Sequence, residues 1–452
     1  MKIFMVSLGC DKNLVDSEVM LGLLDENNFI ITDDESSADV IIVNTCCFID
    51  DAKEESINAI LEMADYKKTG NLKVLAVTGC MAERYKEEIL QEIPEVDLIL
   101  GTTSYDKIVE MINNVLKTGS KEALVLEPTV KEFKPTKRLL STGGHFAYLK
   151  IAEGCNKRCT YCIIPKLRGD YVSVPMENII SEARDLVNDG VSELILVAQE
   201  TTVYGMDIYG KKSLHILLKK LVEIEDLKWI RILYAYPEEI YDELIDVIAN
   251  EEKICNYLDM PIQHCSDDIL KRMGRKTSKK ELLSLIEKLR KRISDIALRT
   301  SIITGFPGET DEEHKELLDF ISQVEFDRLG VFKYSREEDT KAYDFPNQIP
   351  ENIKEKRYNE IMELQQEIAF AKSEDLIDTV MDVVISGEIT EELDYETGTH
   401  VYIGRTYRDT PGVDGLIFVK SKEILMSGDF IKAQILEADG YDLIGGYYEF
   451  TK

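Results

Sequence analysis

The stretch CNKRCTYC, residues 155–162, sets three cysteines at the spacing Cys-x3-Cys-x2-Cys within one short loop. That spacing brings Cys155, Cys159 and Cys162 within reach of a single inorganic centre. Iron-sulfur clusters are normally held by four cysteines, so three thiolates on a four-iron cluster leave one iron open to a group that is not protein. A structural zinc site would require a fourth Cys or His close by. The nearest histidines, His145 and His215, lie outside the loop, so zinc is the lesser alternative on ligand count.

The rest of the composition is compatible with such a centre. A chain of 452 residues predicts two to four domains. No run of 18 apolar residues occurs, and the opening MKIFMVSLGC lacks a basic segment followed by a small-residue cleavage site. A soluble, cytoplasmic protein with no membrane association is expected. In that compartment the nine cysteines point to metal ligation or catalysis rather than disulfides. The formal net charge of −31 disfavours polyanions at long range and favours a basic partner, although acidity also serves solubility alone.

Upstream of the quoted loop, apolar runs at 3–8, 40–43, 74–77 and 96–100 alternate with helical patterns such as 52–66 and 105–116. Continuous apolar strands between helices predict a doubly wound parallel sheet. Cys10, Cys46 and Cys80 each fall just past one of these strands, where open α/β sheets gather their ligands. A lone buried Cys is ordinarily a small hydrophobe; three at equivalent strand ends predict a second three-cysteine centre. Cys47 competes with Cys46 on spacing. Asp16 and Ser17 could cap helices or fasten the cluster loops, and are read as helix caps.

These residues carry two resemblances. CNKRCTYC, with Tyr161 before the last cysteine, resembles the signature of the radical SAM superfamily. That resemblance implies a 4Fe-4S cluster whose open iron binds S-adenosylmethionine and cleaves it to a deoxyadenosyl radical. SLGCDKNLVDSE, VIIVNTCCFIDDAKEES and VTGCMAERY, ahead of that loop, resemble the methylthiotransferase family and its RimO-type branch. This implies a second 4Fe-4S cluster on Cys10, Cys46 and Cys80, where the Asn-Thr-Cys pattern favours Cys46. It also implies methylthiolation of an aspartate in the twelfth small-subunit ribosomal protein. One S-adenosylmethionine would give the methyl group and another the radical. Cys47 departs from the glycine the family commonly has there.

Charged residues with Pro128, Pro135, Gly143 and Gly144 mark a linker over 127–144. Candidate strands at 147–152, 193–198, 230–235, 257–261, 299–304 and 329–334 then alternate with amphipathic segments, predicting a partial barrel with its site at the carboxyl ends. VAQETTVYG follows the second strand, and its Gln199, Glu200 and Thr201 resemble the superfamily's segment that meets the methionine amino group. ITGFPGET follows the fifth and resembles the segment passing the adenosine, with Gly305 and Gly308 allowing close backbone approach. Gln263 and His264 are weaker candidates for the cavity wall. Cys255 and Cys265 read as ordinary thiols, and the basic run 271–280 as a solvated loop and helix start.

Residues 351–376 predict a long helix, followed by short strands at 380–385, 400–404, 415–419, 430–437 and 443–449. These predict a small antiparallel barrel, which resembles the TRAM module. From Leu376 onward six Lys plus Arg face fifteen Asp plus Glu, a net of −9. Such a barrel is poorly suited to a phosphate backbone unless Arg405 and Arg408 form a local positive patch.

The expected organisation is an N-terminal methylthiotransferase domain at 1–126, the linker, a radical SAM partial barrel at 145–375 and a TRAM-like barrel at 376–452. The expected partners are the ribosomal protein, an electron donor such as flavodoxin or ferredoxin, and a sulfur source. Nucleic acid is not expected as the direct substrate. The rival activities are methylthiolation of a transfer RNA adenosine and, from another class, an iron-sulfur electron carrier or scaffold.

Overall fold

The computed structural model describes residues 1–126, 137–390 and 398–448. The linker prolines Pro128 and Pro135 lie outside these. The N-terminal strands are β1 (Lys2–Ser7), β2 (Ile30–Ile31), β3 (Val40–Thr45), β4 (Val74–Gly79), β5 (Leu98–Leu100) and β6 (Glu122–Leu124). They form one sheet in the order β2-β1-β3-β4-β5-β6, parallel at every pairing. Alternate residues of the central strands feed opposite cores: Ile41, Val43, Leu75 and Val77 on one face, Val40, Ile42, Val74 and Ala76 on the other. Burial on both faces explains why these strands read as continuous apolar runs. The short partly exposed strands β2 and β6 escaped the sequence reading, being too brief for any periodicity to register.

The central sheet is built from β7 (Phe146–Lys150), β10 (Glu193–Val197), β11 (Trp229–Ile232), β12 (Ile254–Asp259), β13 (Ala297–Thr304) and β14 (Arg328–Lys333). Their order is β14-β13-β12-β11-β10-β7, again parallel throughout. A separate antiparallel pair, β8 (Ala152–Glu153) with β9 (Val172–Ser173), brackets the three-cysteine loop. The stretch expected as one strand over 147–152 is therefore broken at Ile151.

The last five strands, β15 (Val380–Glu388), β16 (His400–Thr406), β17 (Ile417–Ser421), β18 (Phe430–Asp439) and β19 (Asp442–Tyr447), close in the order β15-β16-β17-β19-β18. Every seam is antiparallel except β17 with β19, which is parallel. The tight β18–β19 hairpin at Gly440 and Tyr441 returns the chain alongside β17 in the same direction, and that pairing shuts the barrel.

The terminal barrel closes the amino-terminal rim of the central sheet. Arg405 Nη2 lies 2.7 Å from Glu193 Oε2, at the start of β10, and Arg408 Nη2 lies 2.6 Å from Asp327 Oδ1, just before β14. Val384, Tyr407 and Phe430 pack against Ile195, Trp229 and Tyr257 inside the sheet's curve. The positive patch considered for Arg405 and Arg408 does not form, because both guanidinium groups are spent on carboxylates of the central domain. Between the two bodies runs the helix Glu351–Glu374, where Gln365 Nε2 donates to Phe326 O at 2.9 Å and Phe370 meets Tyr441 edge-on at 5.1 Å. With this rim covered, the carboxyl ends of the strands face the N-terminal domain.

Candidate functional site at the junction of two cysteine trios

Cys10, Cys46 and Cys80 follow β1, β3 and β4, three adjacent strands, so their loops leave the sheet side by side. Two turns in these loops demand glycine. At Gly9 (φ +85°) a Cβ would stand 2.7 Å from Cys46 Cβ, and at Gly79 (φ +88°) 2.4 Å from Asn44 Oδ1.

Asn13 ties the loops together. Its Nδ2 donates to Leu8 O at 3.0 Å and Thr45 O at 2.9 Å, and its Oδ1 lies 3.9 Å from Cys80 Sγ. Asn44 Nδ2 in turn donates to Asn13 O at 2.8 Å. Burial pushes the Cys46 thiol up, and pushes the Cys80 thiol to about 12 against the pull of the Arg168 guanidinium. Thiols of this kind become good ligands only when an iron displaces the proton, and the grouping fits a cluster in that sense.

Cys47 is fully buried in the apolar core with Ile60 and Met63, near Cys80 and Arg84. Cys47→Ala is expected to keep the iron of the reconstituted protein, whereas Cys46→Ala should lose the N-terminal share of it. Iron analysis of both variants checks the assignment, and the reverse result would exchange the two residues.

The second trio occupies the loop between β8 and β9. Gly154 (φ +81°) opens it, where a Cβ would meet Asp170 O at 2.1 Å. Cys155 N donates to Gly169 O at 3.1 Å, Thr160 N to Met273 O at 2.9 Å, and Cys162 N to Cys159 O at 3.1 Å. Lys157 N points at Cys155 Sγ from 3.5 Å. Cys155 and Cys159 are buried and Cys162 is half-buried. Burial pushes the Cys155 thiol to about 11 and the Cys162 thiol higher still. Among the described residues no group of three His, Cys, Asp or Glu closes on a single metal ion. Tyr161 meets Phe306 edge-on at 6.5 Å beside this loop.

The other predicted residues divide. Gln199 Nε2 donates to Glu153 Oε1 at 2.5 Å, and its buried Oε1 has no hydrogen-bond partner. Glu200 is 1% exposed, accepts from Thr202 N at 2.9 Å, and lies 3.5 Å from Lys157 Nζ in the cysteine loop. Burial raises its carboxyl to about 7 against the pull of Lys157. Gln199 thus reaches the strand that leads into the cysteine loop, and Glu200 the loop itself.

Thr201 does not; its hydroxyl donates to Leu233 O at 2.8 Å and braces the neighbouring strand end. The close approach expected at Gly305 and Gly308 is made by protein. A Cβ on Gly305 would strike Lys354 Cγ at 2.4 Å, and one on Gly308 would strike Arg272 Nη1 at 2.1 Å. Glu309, unremarked in the sequence, shapes this turn by accepting the N–H groups of Gly305 and Phe306.

His264 is fully buried, with Nδ1 accepting from Ser266 N at 3.0 Å, and burial lowers it to about 3. It is a neutral structural group. Cys255 and Cys265 are buried in apolar cores, as expected.

The strongest feature is an ionic network that joins the trios. Arg168 Nη1 lies 2.9 Å from Asp16 Oδ2 and 3.0 Å from Glu153 Oε2, and its Nη2 reaches Asn13 Oδ1. Lys150 Nζ pairs with the same Asp16 and, at 2.9 Å, with Glu153 Oε2. Glu18 pairs with Arg138 and accepts from Ser141 N at 2.9 Å.

The capping role expected for Asp16 and Ser17 is therefore wrong. Both sit inside the helix Asp11–Glu26, Asp16 facing the central domain while Ser17 Oγ lies 2.8 Å from Ser7 Oγ. The buried acidic face of Asp16 and Glu18, in the second turn, reads like a terminus because caps and buried ion pairs use the same residue types.

Comparison with known proteins agrees with this architecture. Residues 2–101 match the uncharacterized protein family UPF0004, residues 149–321 the radical SAM superfamily and residues 379–447 the TRAM domain. A protein named ribosomal protein uS12 methylthiotransferase RimO, from Lachnoclostridium phytofermentans, is 60% identical over 445 residues, covering 98% of this chain and 99% of that one. The protein of the same name from Acetivibrio thermocellus is 51% identical over 450 residues, 98% of each. Among solved structures, the radical S-adenosylmethionine methyltransferase TsrM of Kitasatospora setae, with cobalamin and a [4Fe-4S] cluster bound, superposes with a TM-score of 0.58. At 14% identity over 75% of this chain and 76% of that one, this likeness is one of fold. No helix among the described residues is long and apolar enough to cross a membrane. The chain, matched over 98% of its length, belongs to the RimO family of radical SAM methylthiotransferases.

Proposed function

We propose that this enzyme transfers a methylthio group to the β-carbon of an aspartate in ribosomal protein uS12, using two 4Fe-4S clusters. The observation that carries the reading is the Arg168 network. Glu153, two residues before Cys155, and Asn13, beside Cys80 Sγ, are bonded to the same guanidinium. A radical generated beside one trio and a sulfur group held at the other must meet on one carbon, and a rigid buried link between the loops serves that need.

In this reading Cys155, Cys159 and Cys162 hold the cluster that binds S-adenosylmethionine. Cys10, Cys46 and Cys80 hold the second. Together the bound groups supply the radical, the sulfur and the methyl group. Gln199, with its unpartnered buried oxygen, and Glu200 orient the amino group of S-adenosylmethionine. Tyr161 and Phe306 wall the cysteine loop against water. Thr201 acts by bracing the neighbouring strand end through its hydroxyl, and Gly305 and Gly308 through backbone placement.

The division into domains at 1–126, 145–375 and 376–452 is part of the same proposal, as are a cytoplasmic location, a flavodoxin or ferredoxin reductant and an external sulfur source. A plain electron carrier would not call for an open iron or a sheet mouth enclosed by a second domain.

Charge supports a basic protein as substrate. The net of −31 attracts such a partner, and Arg405 and Arg408 are withdrawn into the interior. The test is anaerobic incubation of reconstituted enzyme with uS12 and, separately, transfer RNA, followed by mass spectrometry. A methylthio group on the uS12 aspartate, with binding that weakens as salt rises, is the expected result. A methylthio group on adenosine and none on uS12 would replace this reading by the transfer RNA activity.

A further inference from the structure

Next to Cys10 stands a charged group that nothing above employs. Lys12 is 6% exposed, with its Nζ 3.4 Å from the centroid of the Tyr234 ring and 2.9 Å from Asp11 Oδ1. The Tyr234 hydroxyl donates to the same Asp11 oxygen at 3.0 Å, and Asp11 Oδ2 is buried with no hydrogen-bond partner. Tyr234 has φ +57°, a left-handed backbone that a bulky aromatic rarely adopts outside functional sites.

Its place is the ring of strand ends. Tyr234 N donates to Asp259 Oδ2 at 3.1 Å, at the end of β12, and its carbonyl accepts from Thr201 N at 3.2 Å, in the segment after β10. Lys12 therefore lies where the Cys10 loop meets the mouth of the central sheet. An ammonium has three N–H donors. The ion pair with Asp11 uses one and the ring face attracts another, which leaves donor capacity at a buried cation.

An acidic side chain brought into this junction must give up its water, and a desolvated carboxylate needs a cation and hydrogen-bond donors. Resting on the functional reading above, we propose that Lys12 is a specificity-determining residue. Its ammonium receives the carboxylate of the aspartate to be modified, while Asp11 and Tyr234 fix the direction in which it points. The site then prefers a carboxylate to the isosteric amide, which cannot form the ion pair and would set its own N–H groups against Lys12.

The experiment uses anaerobically reconstituted holoenzyme and uS12 carrying either the target Asp or Asn at that position, with dissociation constants measured by titration and modification followed in parallel by mass spectrometry. Wild-type enzyme is expected to bind the Asp form about 10- to 100-fold more tightly than the Asn form, as for one charged hydrogen-bonded pair. Lys12→Gln should bind the Asp form as weakly as the wild type binds the Asn form and should no longer distinguish the two. Lys12→Arg should recover part of the preference. Iron content of Lys12→Gln should equal that of the wild type. An Asp-over-Asn preference that persists in Lys12→Gln, no preference in the wild type, or loss of iron in Lys12→Gln overturns the proposal. Failure of wild-type enzyme to modify the Asp form tells instead against the substrate reading, and the binding ratio still decides the role of Lys12.

Discussion

Replacing Cys155, Cys159 and Cys162 together by Ala is expected to cut the iron of the anaerobically reconstituted enzyme from about eight per chain to about four, and to abolish cleavage of S-adenosylmethionine. The loop is tied by backbone bonds from Cys155 N and Thr160 N, neither of which uses a thiol, so the variant should fold. The companion variant, with Cys10, Cys46 and Cys80 changed, should also lose half the iron but retain cleavage while losing methylthio insertion. Iron analysis and product chromatography separate these outcomes. An iron content unchanged in the first variant would end the assignment of that trio.

The second large effect is expected at Arg168, which is 2% exposed and serves two carboxylates and one amide. Arg168→Met removes the guanidinium from Asp16 and Glu153, which keep their pairing with Lys150, and takes one positive charge out of a buried site. Breaking such a buried pair from one side typically costs about 3–5 kcal/mol. In a unit of this size that corresponds to a fall in melting temperature of roughly 10 °C. Arg168→Lys should recover only part of the loss, because an ammonium cannot fork between Asp16, Glu153 and Asn13. Equal melting temperatures for wild type and Arg168→Met would show the network to be incidental. Two-step melting of the variant, with the N-terminal part lost first, would show that the network acts chiefly between domains.

Some of this was legible in the residues alone. Short-range patterns carry their meaning locally: Cys-x3-Cys-x2-Cys stays within one loop because eight residues cannot spread far. Cys10, Cys46 and Cys80 could be grouped because parallel strands in a doubly wound sheet all release their loops at one edge, a rule of topology rather than of contact. The class of each domain followed from strand period and helix alternation in the same way, with the short strands β2, β6 and β9 missed.

What the sequence could not disclose was pairing across distance. Asp16 looked like a cap, Arg405 and Arg408 were free to form a surface patch, and Gly305 and Gly308 looked like openings for a ligand. Each reading failed or narrowed because a partner 36 to 212 positions away, Lys150, Glu193, Lys354 or Arg272, occupies the space. Residue type and spacing determine which elements form and which strand ends lie together. Whether a charge at such an end meets solvent, a cofactor or an opposite charge depends on which domain covers it, and only the tertiary structure decides that.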